Sequence, residues 1–379
     1  MVDLADVCRR FAEEHVARHG ARMLPSHRRA ITDIVACRSA TLGGHLWRCE
    51  ACSAEIYAYH SCGNRSCPRC HRKQTEQWLA ARTAELLDAP YFHITVTVPA
   101  ELRPVLRANQ RDGYALLMKA TAEAIIELAR DPRYVGAQVG VLAVLHTWTQ
   151  QLHYHPHVHC LVTGGGVSDD GRFWHPARKG FLVPVKALAK LVRGKLREAL
   201  ARQRPELQLP ARAWRTSWIV HATAWGTGQQ AVLDYLARYL FRVAITNNRI
   251  VAVDDEAVTI RYKKRKANRL RTCRIAGDDF IRRFLSHVLP KGLHKVRYFG
   301  LWHPSKRARA QQARLLLAAE RSVAPAPIPQ PTSKPQATAE PQAATPAIGS
   351  ETDHRRCPCC RQGRLVHLRR LDPRNPCGP

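Results

Sequence analysis

Acidic side chains are scarce in this sequence of 379 residues. Asp and Glu number 30 against 60 Lys and Arg, which leaves a net charge of +30 and a pI of about 10.3. A surplus that large needs a polyanionic partner to neutralise it, and nucleic acid is the commonest one. A protein that carries charge only for solubility rarely has such an excess of basic over acidic residues. The composition therefore predicts a protein that binds nucleic acid.

The sequence also lacks any long apolar segment. No run approaches the ~20 apolar residues of a membrane-spanning helix, and residues 1–20 carry charges throughout, without the apolar stretch of a secretory signal. We therefore expect a cytoplasmic, bacterial, nucleoid-associated protein with no membrane partner. In such a reducing compartment, the 13 cysteines indicate metal binding rather than disulfides.

Two of the cysteine pairs have the spacing of zinc knuckles. Cys49-x-x-Cys52 and Cys67-x-x-Cys70 are separated by fourteen residues, and two such knuckles can wrap one tetrahedral Zn²⁺. The nearby alternative donors are His60, Cys62 and His71. A unit this small needs the metal for its stability.

The end of the sequence carries another CxxC pair, Cys357-x-x-Cys360, together with Cys359 and Cys377. One CxxC supplies only half of a zinc site, so the sequence leaves the role of these cysteines open.

Histidine is concentrated in QQLHYHPHVHCLVTGGG, residues 150–166, at every second position from His153 to His159. The period of two in a strand would send these imidazoles to one face. Neutral imidazoles two residues apart, with Cβ atoms roughly 6.6 Å apart, can hold one divalent cation. His157 and His159 are therefore a candidate metal pair; the alternative is a set of solvent-facing or hydrogen-bonded histidines.

The remaining pattern predicts an α+β protein. Strands at 93–99, 137–146, 214–222 and 295–302, and one in the histidine-rich stretch at 150–166, alternate with helices at 112–130, 185–200, 229–241 and 278–288. This alternation indicates an antiparallel or mixed sheet with helices. Residues 1–88 form a helix plus a zinc-binding domain, and residues 89–305 a catalytic domain. A basic, then Pro/Ala-rich disordered linker at 306–350 leads to a tail at 351–379.

Two tyrosines lie one turn apart on the predicted helix at 229–241. Tyr235 and Tyr239 are at i and i+4 and share a face. A phenol is a competent nucleophile toward a phosphodiester when a cation polarises the phosphate oxygens. On its own this spacing is weak, because aromatic pairs at helical spacing usually serve packing.

These motifs together resemble a known family. HPHVHCLVTGGG followed by YLARYLFRVAITNNRI, after the zinc knuckles and YFHITVTVP at 91–99, and before FIRRFLSHVLPKG at 280–292, is similar to the two-tyrosine HUH transposases of the insertion-sequence ninety-one family. The resemblance covers roughly residues 10–305. It implies a ferredoxin-like HUH nuclease palm that cleaves single-stranded or hairpin DNA ends through a 5′-phosphotyrosine.

The resemblance also assigns roles to residues. Tyr235 and Tyr239 match the paired nucleophiles, while His157 and His159 match ligands of a catalytic Mg²⁺ or Mn²⁺. Gln150 is the first choice for the third ligand, with His155 and Gln151 as alternatives. Candidate DNA contacts are Arg238, Arg242, Arg249, Lys263, Lys264, Arg265 and Lys266.

The resulting prediction is a transposase that cleaves and rejoins single-stranded DNA at element ends. A rolling-circle replication initiator or a relaxase would use the same chemistry for different biology. A zinc-dependent DNA-binding protein without activity, or a zinc hydrolase of small molecules, would not depend on the tyrosines.

Overall fold

The structure of the protein is a computed structural model that describes residues 2–70, 86–235, 239, 243–263, 269–323 and 356–373. The chain divides into two units. The large unit comprises Met1–Val35 and Gly63–Val323, and the small unit comprises Ala36–Cys62 and Ala324–Pro379. Among the described residues, no helix has the length and apolar character needed to cross a membrane.

Nine helices and thirteen strands are present in the described residues. The helices are α1 (Leu4–His19), α2 (Pro25–Ala36), α3 (Arg103–Ala108), α4 (Gln110–Arg130), α5 (Val185–Gln203), α6 (Ala211–Arg215), α7 (Gly228–Tyr235), α8 (Gly277–Leu285) and α9 (Arg307–Val323). The strands are β1 (Gly44–Cys49), β2 (Glu55–Tyr59), β3 (Pro90–Thr97), β4 (Gly140–Trp148), β5 (Tyr154–Thr163), β6 (Gly165–Val167), β7 (Trp174–Pro176), β8 (Ile219–Thr227), β9 (Ile250–Val253), β10 (Ala257–Lys263), β11 (Leu270–Ala276), β12 (Val296–Gly300) and β13 (Leu365–Leu371).

The large unit is built on a five-stranded antiparallel sheet with the strand order β12-β4-β5-β3-β8. Helices α4 and α5 cover one face of this sheet, where Tyr114 and Leu117 of α4 and Val192 of α5 join the main core. The predicted α+β class, an antiparallel palm with helices, is confirmed.

Alternation along the central strands separates two kinds of side chain. Val158 and Cys160 of β5, like Ile94 of β3, belong to the core beneath α4 and α5. Leu161 of β5 belongs to a second cluster, on the opposite face, which also contains Tyr235 of α7. The period of two therefore places the odd-numbered residues of β5, including its histidines, on the face that α7 covers.

One predicted strand begins later than expected. The sequence predicts a strand at 214–222, but Trp214 lies in α6 and the strand β8 starts at Ile219. Pro210 precedes the helix, where its fixed φ suits a helix start. Trp218 then donates from Nε1 to the carbonyl of Ala213 at 3.1 Å, which fixes the turn between helix and strand.

The large unit also contains a three-stranded antiparallel sheet with the strand order β9-β10-β11. It is tied to the turn before β5, since the backbone N of Lys263 donates to Gln150 Oε1 at 2.6 Å. This contact places the end of β10 beside the histidine-rich strand.

The small unit contains a three-stranded antiparallel sheet with the order β13-β1-β2. In its register Cys49 of β1 lies opposite Leu365 of β13, and Arg48 lies opposite Glu55 of β2. Strands at the two ends of the sequence therefore pair directly.

The predicted boundaries at residues 88 and 305 stay predictions. The segment assigned to a linker from residue 306 begins with α9, which is helical to Val323. The rest of that predicted linker, to residue 350, lies outside the described residues.

Candidate active site

Strand register brings three histidines together on the face of the sheet that α7 covers. His157 and His159 follow each other at a spacing of two along β5. His146 of the neighbouring strand β4 lies directly opposite His157, and Thr95 of β3 lies opposite His159. Side chains opposite each other on one face have Cβ atoms about 5 Å apart.

The three histidines His146, His157 and His159 form a compact group, which we call the histidine cluster. One ring nitrogen from each lies within 4.8 Å of the others, as a shared metal ion requires. The ring centroids of His146 and His159 are 4.6 Å apart, and those of His157 and His159 are 4.7 Å apart. His146 and His159 are buried, while His157 is half-buried.

Hydrogen bonds fix the histidine cluster in a state suited to ligation. Nε2 of His146 donates to the carbonyl of Tyr239 at 2.6 Å, and Nδ1 of His157 donates to the carbonyl of His155 at 2.7 Å. Each neutral ring then keeps a lone pair on its other nitrogen. Metal-ligating histidines typically hold their second nitrogen in this way, so the residues present fit a divalent cation.

The side chain of His159 contacts two residues of β3. Its Nδ1 lies 3.0 Å from Nε2 of His93 and 3.1 Å from Oγ1 of Thr95. The rings of His93 and His159 stack with centroids 5.2 Å apart. These contacts orient the His159 ring.

Gln150, the predicted third ligand, is engaged elsewhere. Its Oε1 accepts a hydrogen bond from the Lys263 amide at 2.6 Å, and its assignment as a metal ligand stays a prediction. Of the alternatives, Gln151 bonds with its side chain to Cys273. His155 is not a member of the histidine cluster, and its backbone carbonyl accepts from His157. The pairing of β4 with β5 brings His146 close enough to His157 and His159 to be a candidate third ligand.

The two predicted nucleophiles differ in their surroundings. The half-buried ring of Tyr239 lies 4.4 Å, between centroids, from His159 and 4.5 Å from His93. Tyr235 lies deeper, with 0% of its surface exposed, and its ring centroid is 5.0 Å from that of Tyr239.

The hydroxyl of Tyr235 is buried, and it has no hydrogen-bond partner in the part of the chain that the structure describes. Burial raises the pKa of this phenol well above that of a free tyrosine. The structure therefore brings Tyr239 to the histidine cluster and leaves Tyr235 behind it in the apolar layer.

The predicted DNA-binding cations are only partly described. The guanidinium of Arg249 donates to the backbone carbonyls of Arg261, Ala244 and Gln150, which ties β10 to the turn before β5. Lys263 is exposed at the end of β10. Arg238, Arg242, Lys264, Arg265 and Lys266 lie outside the described residues, so the DNA-binding assignments stay predictions.

His146, His93 and Thr95 were not among the site residues predicted from the sequence. His93 and Thr95 alternate in YFHITVTVP and so share a face of β3, which was a usable signal. His146 carried no local signal, because its place depends on the register of β4 against β5 and on the irregularity between His146 and Trp148.

The structure divides the four cysteines that were predicted to share one zinc ion. Cys49 and Cys52, in the small unit, form a group with Cys357 and Cys360, whose four sulfur atoms all lie within 4.8 Å of one another. Cys67 and Cys70 belong to the large unit and are not members of that group. Pairing of β1 with β13 supplies the tail cysteines instead.

The other donors considered for zinc are also absent from that group. His60 and Cys62 are described but are not among its members, and His71 and Cys377 lie outside the described residues.

The chain is similar to two protein-family models and to known proteins. Residues 140–310 match a family model described as "Putative transposase", and residues 7–98 match one described as "Transposase zinc-binding domain". A Sinorhizobium fredii protein named "Putative transposase y4qJ" is 39% identical over 98% of this chain and 96% of its own. The "Transposase for insertion sequence element IS801" of Pseudomonas savastanoi pv. phaseolicola is 28% identical over 79% of this chain and 75% of its own. No solved structure matches.

Proposed function

Since the chain belongs to the insertion-sequence ninety-one family of transposases, we propose that it cleaves and rejoins single-stranded DNA through a covalent 5′-phosphotyrosine. The observation that carries this proposal is the position of Tyr239, whose ring lies 4.4 Å from that of His159 in the histidine cluster. A nucleophile and a cation-binding group thus stand side by side.

His146, His157 and His159 would hold the catalytic cation. Three imidazoles without a carboxylate suit Mn²⁺ better than Mg²⁺, which prefers oxygen ligands and retains its waters. When bound, such an ion supplies positive charge that polarises the non-bridging oxygens of the scissile phosphate. His93 and Thr95 keep the His159 ring in position.

Tyr239 is the residue that attacks first. Its phenolic oxygen forms a bond to phosphorus while the bond from phosphorus to the 3′ oxygen breaks. Over the step, the phenol loses its proton and the released strand gains a free 3′-OH. The energy of the phosphodiester is kept in the phosphotyrosine, so a second strand can later displace the tyrosine.

Tyr235 acts second, after the helix has moved. Its side chain is fully buried and its hydroxyl has no polar partner among the described residues, so no DNA phosphate reaches it in this arrangement. A shift of α7 that brings the hydroxyl toward the histidine cluster would allow it to accept the second strand.

DNA reaches the site along a basic surface. Lys263 is exposed at the end of β10, beside the turn that leads into β5, and it begins the basic run at 263–274. Lysines on such a surface bind phosphates without reading the sequence.

The test is incubation of the purified protein with end-labelled single-stranded DNA from the flanks of its gene, in Mn²⁺. Denaturing electrophoresis and peptide mapping would locate any adduct. We expect a phosphotyrosine at Tyr239 that is absent in His157→Ala and retained in His155→Ala, the matched histidine outside the cluster. Binding without any adduct would overturn the proposal and favour a DNA-binding protein without catalysis.

A further inference from the structure

The small unit contains two cysteine knuckles with the same backbone geometry, far apart in the sequence. The first (residues 49–52) ends β1, and the second (residues 357–360) precedes β13. The residue after each knuckle, Ser53 or Arg361, donates its N–H to the carbonyl of the first cysteine, at 3.0 and 2.9 Å. Both of these residues have positive φ, 58° and 59°. Two like knuckles facing each other form a four-sulfur site.

The distances between sulfur atoms fit a metal ion and exclude disulfides. Sγ of Cys49 lies 3.7 Å from Sγ of Cys360, and Sγ of Cys52 lies 3.7 Å from Sγ of Cys357. A tetrahedron with Zn–S bonds of about 2.3 Å has sulfur–sulfur edges of about 3.8 Å. A disulfide would need about 2.05 Å.

Backbone amides and one glycine complete the surroundings of the sulfur atoms. Cys359 N donates to Sγ of Cys357, and Gly363 N donates to Sγ of Cys360, both at 3.3 Å. Hydrogen bonds of this kind favour the thiolate, which is the form that binds metal. A Cβ on Gly363 would lie 2.4 Å from Sγ of Cys49, so only glycine allows the second knuckle to approach the first.

The small unit has almost no hydrophobic core that could hold these strands instead. Among its described residues, Leu46 is the only large aliphatic side chain that is buried. β2 and β13 are largely exposed along their lengths. A sheet this small needs a source of stability other than hydrophobic burial, such as a bound metal ion.

We propose that Cys49, Cys52, Cys357 and Cys360 bind one structural Zn²⁺, so that the tail of the protein supplies half of the site. The family model of the zinc-binding domain ends at residue 98 and does not reach the tail. The proposal does not depend on the cleavage chemistry, because none of the four thiols belongs to the histidine cluster.

The first experiment measures zinc per chain, by mass spectrometry of the metal, in the full-length protein and four variants. We expect Cys49→Ser with Cys52→Ser, and separately Cys357→Ser with Cys360→Ser, each to lose one equivalent. The fourfold variant should also lose only one. Cys359→Ser, an exposed cysteine of the same knuckle, should lose none. Unchanged zinc in the tail variant, or a loss of two equivalents in the fourfold variant, would overturn the shared site.

A second experiment uses only the unaltered protein, so its result does not depend on whether a cysteine variant folds. The native protein is alkylated before and after zinc removal by a strong chelator, and the labelled thiols are mapped. Cys49, Cys52, Cys357 and Cys360 should be protected together and become reactive together, whereas Cys359 should react in both states. Reactive Cys357 and Cys360 in the zinc-loaded protein would contradict the proposal.

Gly363→Ala supplies a further test at a residue that is not a ligand. The added Cβ should separate the knuckles and raise the rate at which zinc passes to a chromogenic chelator by about tenfold or more. A rate equal to that of the unaltered protein would show that the knuckles do not share a metal.

Discussion

At the scale of single residues, the side chains of Tyr235 and Tyr239 are chemically identical but differ in their contacts and burial. Tyr239 touches the rings of His93 and His159, while Tyr235 is closed off beneath it. Burial also raises the pKa of Tyr235, which keeps its phenol protonated. The two tyrosines should therefore give different phenotypes when each is replaced.

Replacement by phenylalanine tests this order. Tyr239→Phe should lower the rate of the first cleavage by about 10³-fold or more, because the nucleophile is gone. Tyr235→Phe should leave the first cleavage within about threefold and abolish transfer to a second strand. Single-turnover assays with one labelled strand and then two would measure both steps. Equal loss of first cleavage in the two variants would contradict the order.

Tyr235→Phe should also change stability. A buried hydroxyl without a partner costs about 1–3 kcal/mol relative to a satisfied one, and phenylalanine keeps the ring contacts with the second apolar cluster. We expect the free energy of unfolding to rise by about 1 kcal/mol. Urea unfolding at pH 7, followed by tryptophan fluorescence, would measure it, with Tyr91→Phe as the control. The Tyr91 hydroxyl donates to the carbonyl of Leu87 at 2.6 Å, so its loss should destabilise.

His146→Ala tests the third ligand. Removing a metal ligand should weaken Mn²⁺ binding by more than the 10- to 100-fold typical of a residue that only supports one. Calorimetric titration of Mn²⁺ into the protein would compare it with Gln150→Ala and His155→Ala, which we expect to bind nearly as the unaltered protein does. Loss in Gln150→Ala but not in His146→Ala would contradict the role of His146 and support Gln150 as the third ligand.

At the scale of secondary structure elements, local sequence patterns predicted site residues that lie on one strand. They did not predict residues that depend on how neighbouring strands pair. The period of two in β5 was enough to select His157 and His159, because both lie on one strand. His146 could not be selected, since its partner across the sheet depends on the turn at residues 149–153 and on the irregularity in β4. In the same way, CxxC spacing marks each knuckle as half a site but does not say which halves pair.

The contact between the segment that follows α8 and strand β4 makes the stability of the protein depend on pH. His287, just beyond α8, is buried, with Nδ1 3.1 Å from Oγ1 of Thr147 and Nε2 donating to the carbonyl of Leu152 at 3.1 Å. Burial lowers its pKa to about 3, against about 6.5 in an unfolded chain. The unfolded chain therefore binds more protons between these values, and stability falls as pH falls from about 6.5 toward 3.

His287→Gln should remove this part of the pH dependence. Between pH 7 and pH 5, the unaltered protein should lose about 2 kcal/mol of unfolding free energy through this group, and the variant should lose that much less. Urea titrations of both proteins at both pH values would give the difference. Equal losses would mean that His287 is not held neutral in the folded protein.

At the scale of the whole molecule, the net charge of +30 governs binding to nucleic acid. A protein that neutralises 6–10 phosphates of single-stranded DNA should lose about 10²- to 10⁴-fold in affinity between 50 and 200 mM salt. Lys263→Ala should reduce the slope of log K against log salt by about 0.7. Fluorescence anisotropy would compare it with Lys186→Ala, an exposed lysine of α5 on the other face of the sheet. Equal slopes in the two variants would exclude Lys263 from the DNA-binding surface.

The pairing of β1 with β13 imposes an order in time during synthesis. The two knuckles are about 305 residues apart in sequence, and a ribosome that adds about 5–20 residues per second needs roughly 15 to 60 s to cover that distance. During this interval one edge of β1 has no neighbour, although β2 is already present. The small unit therefore completes its sheet only after the elements between β2 and β13 have been synthesised.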